Sequence, residues 1–294
     1  MPIDYRYHIG SFIAIFLALL LGILIGIGLA PSPEEFNQVV SDLKEEYRQA
    51  RDAREADLDR LQAANQEYTE LAKKTVAGIT AGRASGLRVA IILDHNFGRD
   101  PLPDSLRALM KQAGATLTST TTITREFVSL PVPLREKVAQ RLTLYPPPGV
   151  HFRTLIAQAF AKDLARGRPG LILDLVSLGL LRSSADSDYG VPVDAVLLVG
   201  GSDAVSVTSL ERIDLPLIEE FSGLGIRVVG CEARDAPVSC VSLYKSKGIP
   251  TVDNADTVAG RLSVVLALTG VDGHFGVKET ADRLLPDIPP AASR

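Results

Sequence analysis

The sequence predicts an α/β protein with an N-terminal transmembrane helix, a coiled-coil stalk and then a Rossmann-like domain with a mostly parallel sheet. Residues 10–30 contain no charge and no proline, and a charged segment with apolar residues at helical spacing follows them. Short apolar runs then alternate with amphipathic stretches, which is typical of strands alternating with helices. We place the segments at 1–31 (membrane), 32–76 (stalk), 77–86 (flexible joint), 87–278 (globular domain) and 279–294 (tail).

The composition excludes some classes of function. The 294 residues carry a net charge of −4, no tryptophan and only 5% aromatic residues. Nucleic-acid binding needs a concentrated basic surface and aromatic platforms for the bases, so we expect no nucleic-acid partner. Two cysteines do not make a disulfide framework.

The apolar run is long enough to be a retained membrane anchor. Twenty-one helical residues span about 31 Å, which matches the roughly 30 Å hydrocarbon core of a bilayer. A cleaved signal is the alternative, because the run ends in small residues before Pro31, but its apolar centre would be shorter. Arg6 precedes the run, whereas Glu34 and Glu35 follow it. This asymmetry predicts a single-pass cell-membrane protein with a cytoplasmic N-terminus and an extracytoplasmic C-terminal domain.

Small residues recur every four positions within this run, at Ala14, Ala18, Gly22 and Gly26. Such a stripe lets two membrane helices approach closely, so we expect it to be a packing surface between copies. The alternative is chance, because Gly and Ala are common in membrane helices. The run has no ionisable side chain, and one apolar helix cannot line a polar pore.

The stalk shows heptad spacing in two stretches. The seam positions are Phe36, Val40, Leu43, Tyr47 and Ala50, and then Leu61, Ala64, Tyr68 and Leu71. Arg54 and Asp57 fall on the seam between them, which indicates a local shift of phase. We interpret the pattern as a coiled coil that makes a homo-oligomer. A single amphipathic helix packed on the globular domain is the alternative. Glycines at 78, 82 and 86 predict the flexible joint.

The globular part alternates strands and helices. Strands are predicted at residues 87–96, 115–124, 193–203 and 225–233, with a further candidate at 238–244, and helices at 104–113, 134–144, 152–166, 216–224 and 257–268. The apolar stretch 170–181 is ambiguous between strand and helix.

Two strand ends are candidate ligand sites, because open α/β sheets bind ligands at the carboxyl ends of their strands. Asp94, His95 and Asn96 follow the first strand, and Gly200–Gly201 follows a later one. The glycine pair lacks both the dinucleotide fingerprint and the P-loop lysine, so ordinary turns are the favoured interpretation at both places. No catalytic set can be assembled from the sequence, and we do not expect an enzyme. An enzyme or ligand sensor with a site near Asp94 or Gly201 stays as an alternative.

Cys231 and Cys240 are the only weak metal candidates, and no two histidines have metal-ligand spacing. The two cysteines flank a possible strand–turn–strand and have three interpretations: a disulfide, a soft-metal pair or inert apolar packing. Tyr244, Lys245 and Lys247 are interpreted as solvated surface.

Both ends of the chain resemble a known family. The opening DYRYHIGSFIAIFLALLLGILIG resembles the N-terminus of the mycobacterial copper transport protein B family, in which a basic-histidine cluster precedes an Ala-Leu-Gly-rich helix and a coiled coil. The closing segment is similar as well. Its matching positions are Val252, Asp253, Asn254, Gly260, Arg261, Gly273, Phe275, Gly276, Leu284, Leu285 and Pro286.

The resemblance implies a membrane-bound cell-envelope protein linked to copper transport and homeostasis. Some relatives instead resemble the partner of a cytokinetic-ring factor in cell separation. Copper is the ligand that the family implies, but Cu(I) favours several Cys or Met ligands, and beyond the initiator this chain has only Met110 and two cysteines. We therefore expect an oligomeric scaffold with a protein partner rather than a self-sufficient pore.

Overall fold

The structure is a computed structural model that describes residues 5–29, 33–94, 100–201 and 209–289. The chain divides into two units, Met1–Glu67 and Tyr68–Arg294. We describe each unit by itself.

The first unit is helical. Helix α1 covers Tyr5–Leu29, and within it Ile9–Gly28 is long and apolar enough to cross a membrane. Helix α2 begins at Pro33, a residue type that suits the first position of a helix, and runs without interruption to Thr80 in the second unit. No glycine or proline falls between its first residue and Gly78. The predicted apolar helix is confirmed, whereas the pairing of α2 with another helix stays a prediction.

The second unit is an α/β domain. After α2 its helices are α3 Leu102–Gln112, α4 Arg125–Ser129, α5 Val132–Leu142, α6 Phe152–Arg166, α7 Pro169–Ser177, α8 Leu215–Gly223, α9 Val241–Ser246 and α10 Val258–Leu268. Its strands are β1 Arg88–Leu93, β2 Thr116–Ile123, β3 Leu181–Ser183, β4 Ala195–Val199, β5 Arg227–Cys231, β6 Thr251–Val252 and β7 His274–Phe275. A π-turn over Leu210–Asp214 leads directly into α8.

The strands form one sheet in the order β3-β2-β1-β4-β5-β6-β7. Strand β3 is antiparallel to β2, and every other neighbouring pair is parallel, which confirms the predicted mostly parallel sheet. Helices cover both faces. Ile92 and Leu198 belong to the core that includes α6 and α8, whereas Ile91 and Leu197 belong to the core that includes α3 and α10. Burial on both faces explains why β1 and β4 are continuously apolar in the sequence.

The structure resolves one segment that was ambiguous in the sequence and corrects one predicted strand. The ambiguous stretch 170–181 becomes α7 followed, after a turn, by β3. The candidate strand at 238–244 is wrong, because Val241–Ser246 forms α9. Val241 and Tyr244 are three residues apart, and both are buried, so packing on the helix face outweighs the β propensity of the valines.

The segment predicted as a joint, residues 77–86, lies within the second unit and is hydrogen-bonded to other parts of it. Residues 77–80 complete α2, and residues 81–86 are turns. The Ala84 N–H donates to the Ala113 carbonyl at 2.9 Å. The Arg83 guanidinium donates to the carbonyls of Ile79 and Pro289, both at 2.8 Å, and so connects these turns to the tail.

At Gly260, the first turn of α10 lies directly against the backbone of the turn after β6. Thr257 caps this helix, since its hydroxyl accepts the Gly260 N–H at 3.0 Å and donates to the Asn254 carbonyl at 2.8 Å. A Cβ on Gly260 would lie 2.0 Å from that same carbonyl oxygen. Only glycine therefore lets the turn after β6 pack against the first turn of α10.

We predict that Gly260→Ala destabilises the protein by about 1–3 kcal/mol, because the added methyl forces the backbone of Asn254 or of α10 to move. Chemical unfolding measures the change. The matched control is Gly170→Ala in α7, an exposed helical glycine with nothing within 4 Å of the added methyl. We expect that control to be neutral or stabilising by about 0.5 kcal/mol. Equal stability of the two variants would contradict the proposed clash.

Candidate functional site

The carboxyl ends of β1 and β4 meet at the point where the sheet order reverses. From β1 the chain continues outward through β2 and β3, and then returns to β4 on the other side of β1. Ligands of open α/β folds bind at such a switch point. The Asp94 N–H donates to the Val199 carbonyl at 2.8 Å, so Asp94 lies beside the start of the Gly200–Gly201 turn. The other two predicted residues here, His95 and Asn96, lie outside the described residues.

The space above Gly200 is filled by protein side chains. A Cβ on Gly200 would lie 2.7 Å from the Tyr244 hydroxyl and 3.0 Å from Cys240 Sγ. A Cβ on Gly230 in β5 would lie 2.5 Å from the Tyr244 ring. The two glycines thus let α9 lie close to the sheet, with the Tyr244 ring packed against both of them.

Buried polar groups connect Tyr244 to the neighbouring elements. Its hydroxyl donates to Asp214 Oδ2 at 2.6 Å, and the Ser209 hydroxyl donates to Asp94 Oδ1 at 3.3 Å. All four residues are buried. Burial, reinforced by the negative charge of Asp214, raises the pKa of Tyr244 well above its ordinary value. The phenol therefore stays a neutral hydrogen-bond donor at physiological pH, which stabilises the Asp214 carboxylate.

The interpretation of Tyr244 as solvated surface is wrong, because its side chain is fully buried. Lys245 and Lys247 do lie nearer the surface, where they form ion pairs with Asp282 at 2.8 Å and Glu219 at 2.6 Å. The apolar spacing of Cys240, Val241 and Tyr244 was the available signal for a buried helix face. The two neighbouring lysines obscured that signal.

A second polar cluster surrounds Glu232, directly after β5. The fully buried carboxylate accepts the Cys240 N–H at 2.6 Å and the Ser239 hydroxyl at 2.7 Å, and it forms an ion pair with Lys278. A buried carboxylate needs such compensation to remain charged. Glu232 and Lys278 were not among the predicted site residues, because one isolated Glu and one isolated Lys form no recognisable sequence motif.

Asp253 holds the chain after β7. Its carboxylate accepts the N–H groups of Val277 at 2.8 Å and Lys278 at 2.9 Å. A Cβ on Gly276 would lie 1.8 Å from Asp253 Oδ1, and the φ of Gly276 is +144°, so glycine is required there. Asp253 and Gly276, two of the positions that carried the family resemblance, are therefore parts of one structural contact.

The two cysteines lie on opposite faces of the sheet, and both thiols are free. Cys231 belongs to the core with Met110, whereas Cys240 belongs to the core with Phe160 and Tyr244. Burial raises the pKa of both thiols far above its ordinary value, and the nearby carboxylates raise it further. This environment matches the apolar-packing interpretation. Within residues 5–29, 33–94, 100–201 and 209–289, no group of three or more His, Cys, Asp or Glu is arranged to hold a metal ion.

The predicted packing stripe of the membrane helix lies on α1. Ala14, Ala18, Gly22 and Gly26 are all exposed, and nothing lies within 4 Å of a Cβ added at either glycine. The stripe is therefore open to another helix. Its use as a packing surface stays a prediction.

An apolar groove of 520 Å³ lies in the second unit between the end of α2 and α10. Its lining includes Ala72 and Val76 from α2 and Leu262 from α10. Leu284 and Leu285, two positions that carried the family resemblance, complete the groove on the side of the tail. The groove was not predicted from the sequence, because the walls of the groove come from segments far apart in the chain.

The protein therefore combines an apolar N-terminal helix, a long charged helix and a Rossmann-like domain. In that domain, side chains from α9 pack against the turn at the switch point. The sequence profile of the family described as "Copper transport outer membrane protein, MctB" matches residues 2–286. The chain belongs to this family. No curated protein matches the sequence.

We predict that the two buried thiols make the protein sensitive to alkaline pH. In the unfolded chain they ionise near pH 9, whereas in the folded chain their pKa is raised. Their contribution to stability is thus fully present below pH 9 and is lost as the pH rises above it. The expected slope is about 1.4 kcal/mol per pH unit for each thiol.

Urea unfolding between pH 8 and pH 11 measures this slope. Cys231→Ala should lower the free energy of unfolding below pH 9, because it leaves a small cavity, and it should reduce the alkaline slope by the contribution of one thiol. An unchanged slope in this variant would show that Cys231 does not titrate on unfolding as its burial requires.

Proposed function

We propose that this protein is a single-pass, membrane-anchored, homo-oligomeric scaffold that binds a protein partner and takes part in copper homeostasis. In this proposal it is not a self-sufficient copper pore. The N-terminus is cytoplasmic, and the globular domain works on the extracytoplasmic side.

Family membership and α1 support the anchoring. The family is described as one of copper transport proteins of an outer membrane. Ile9–Gly28 provides one apolar helix of membrane-spanning length. A water-filled path through a bilayer requires several helices around a polar interior or a closed barrel, so this one uncharged helix supports an anchor better than a channel.

The exposure of the seam on α2 is the observation that carries the proposed self-association. Phe36, Leu43 and Tyr47 are 60%, 65% and 75% exposed, and Leu61 is 67% exposed. Large apolar side chains at heptad spacing are stable in water when a second helix covers them. A helix of this length also gains most of its stability from such packing rather than from intrinsic propensity.

The chemistry of the second unit supports a role in binding a partner. Tyr244 and Cys240 fill the space above Gly200, which counts against the alternative of an enzyme or sensor site at that turn. Met110, Cys231 and Cys240 are the sulfur-containing side chains of the described segments, and all three are buried in the core. Copper(I) transfer needs accessible soft ligands, so these side chains favour an indirect role in copper homeostasis.

We predict that lysines on the seam separate the copies of the full-length protein. Leu43→Lys and Leu61→Lys each remove a leucine from the proposed interface, at a cost of about 2 kcal/mol, or about thirtyfold in dissociation constant. Multi-angle light scattering in detergent measures the protein mass. Wild type should have the mass of at least two copies, and the double variant the mass of one.

Gln38→Lys is the matched control, because Gln38 is exposed and lies midway between Phe36 and Val40, on the face of α2 opposite the seam. This control should keep the wild-type mass. A single-copy mass for the wild-type protein, or an unchanged mass for the double variant, would count against a paired stalk.

We predict that a membrane-impermeant thiol reagent labels Asp287→Cys in intact cells stripped of any outer wall. Asp287 has a 93% exposed side chain in the C-terminal part of the second unit. Asp4→Cys, before the apolar run, should react only after the membrane is opened. The wild type supplies the background, since both of its thiols are buried. The reverse labelling pattern would overturn the proposed orientation.

A further inference from the structure

The apolar groove beside α2 has an exposed rim. Val277 and Leu284 on the rim are 51% and 50% exposed, and Leu285 is 37% exposed. On α2, Tyr68, which lines the groove, and the neighbouring Leu71 are 71% and 62% exposed. An apolar surface that is continuous from a groove onto a helix is unusual for a surface that contacts only water, and it marks an interaction site.

The groove and the seam share one helix. Tyr68 is a seam position by its spacing from Leu61, Ala64 and Leu71, and it also lines the groove. Ala72 follows the seam residue Leu71 directly, so it occupies the flanking position of the heptad. In a parallel pair, that flanking position faces the partner helix. The wall formed by Tyr68 and Ala72 is therefore next to the place where a paired helix would lie.

We propose that helix α2 of a second copy closes this groove. The inference rests on the proposed pairing of the stalks and extends it to the globular unit. The partner subunit's Leu71 and the aliphatic stem of the partner subunit's Glu67 cover the mouth of the groove, and they bury Leu284 and Leu285. Two-fold symmetry repeats the contact, so each copy supplies one groove and one closing helix.

Two observations favour a second copy over an unrelated occupant. The seam residue Tyr68 lines the groove itself, so a partner helix that pairs along the seam at Tyr68 and Leu71 lies next to the groove. Each copy also leaves exposed apolar side chains both on α2 and on the groove rim. Pairing therefore covers two apolar surfaces that one copy alone leaves in water.

Substitutions on the rim test the proposal in the full-length protein in detergent. Leu285→Glu should raise the dissociation constant of the pair at least tenfold, because it places a carboxylate in the covered groove. Leu173→Glu is the matched control, since Leu173 is 54% exposed on α7 and does not line the groove, and it should leave the constant unchanged. Thermal unfolding checks that both variants fold.

Leu71→Glu separates this inference from the proposed function. If Leu71→Glu dissociates the pair and Leu285→Glu does not, the stalks pair and the groove contact is wrong. If neither substitution has an effect, both proposals fail. A rise in the dissociation constant for both variants, with Leu173→Glu unchanged, supports the closed groove.

Maleimide labelling provides a second measurement. Leu285→Cys should react at least tenfold more slowly than Leu173→Cys when the copies are paired, and the two should react at similar rates after dilution to single copies. Equal rates in the paired protein would overturn the inference. Protection that persists in single copies and disappears after lipid is removed would assign the groove to a bound lipid and overturn it as well.

Discussion

The buried carboxylate of Asp253 is the interaction on which the far half of the sheet depends. By accepting two N–H groups after Gly276, it fixes the segment that carries Lys278. Lys278 compensates the charge of Glu232, and Glu232 in turn holds the Cys240 N–H at the start of α9. Helix α9 then places Tyr244 against two glycines, Gly200 in the turn after β4 and Gly230 in β5. One chain of polar contacts thus runs from the last strand back to the switch point.

This chain of contacts holds Tyr244 and Cys240 beside Gly200, at the switch point of the Rossmann-like sheet. The topology provides a switch point between β1 and β4, as in ligand-binding members of this fold class. The space available at the switch point depends on the side chains next to it. A tyrosine and a cysteine, Tyr244 and Cys240, fill the space next to Gly200. In the second unit, exposed apolar side chains lie on the end of α2 and around the groove, at Tyr68, Leu71, Val277, Leu284 and Leu285.

Much of the fold was predictable because its signals are local. The apolar run of α1, the long charged part of α2 before Gly78 and the buried strands β1, β4 and β5 each follow from the short-range hydrophobic pattern. The sequence-based predictions were wrong where tertiary packing determines the secondary structure. The segment 238–244 has valines that favour a strand, yet Tyr244 gains more by packing on the glycines of the sheet, and that contact requires a helix. The groove was not predictable, because Val76, Leu262 and Leu285 come together only in the folded domain.

The sequence by itself determined the apolar N-terminal helix, the long charged helix, the α/β class and the residues that carry the family resemblance. Periodicity and length decide these features, and both can be read along the chain. Tertiary structure alone decided that Cys231 and Cys240 lie on opposite faces of the sheet and that Glu232 pairs with Lys278. It also decided that Gly260 and Gly276 are steric requirements, because each lies against a group distant in the sequence whose position is set only by folding.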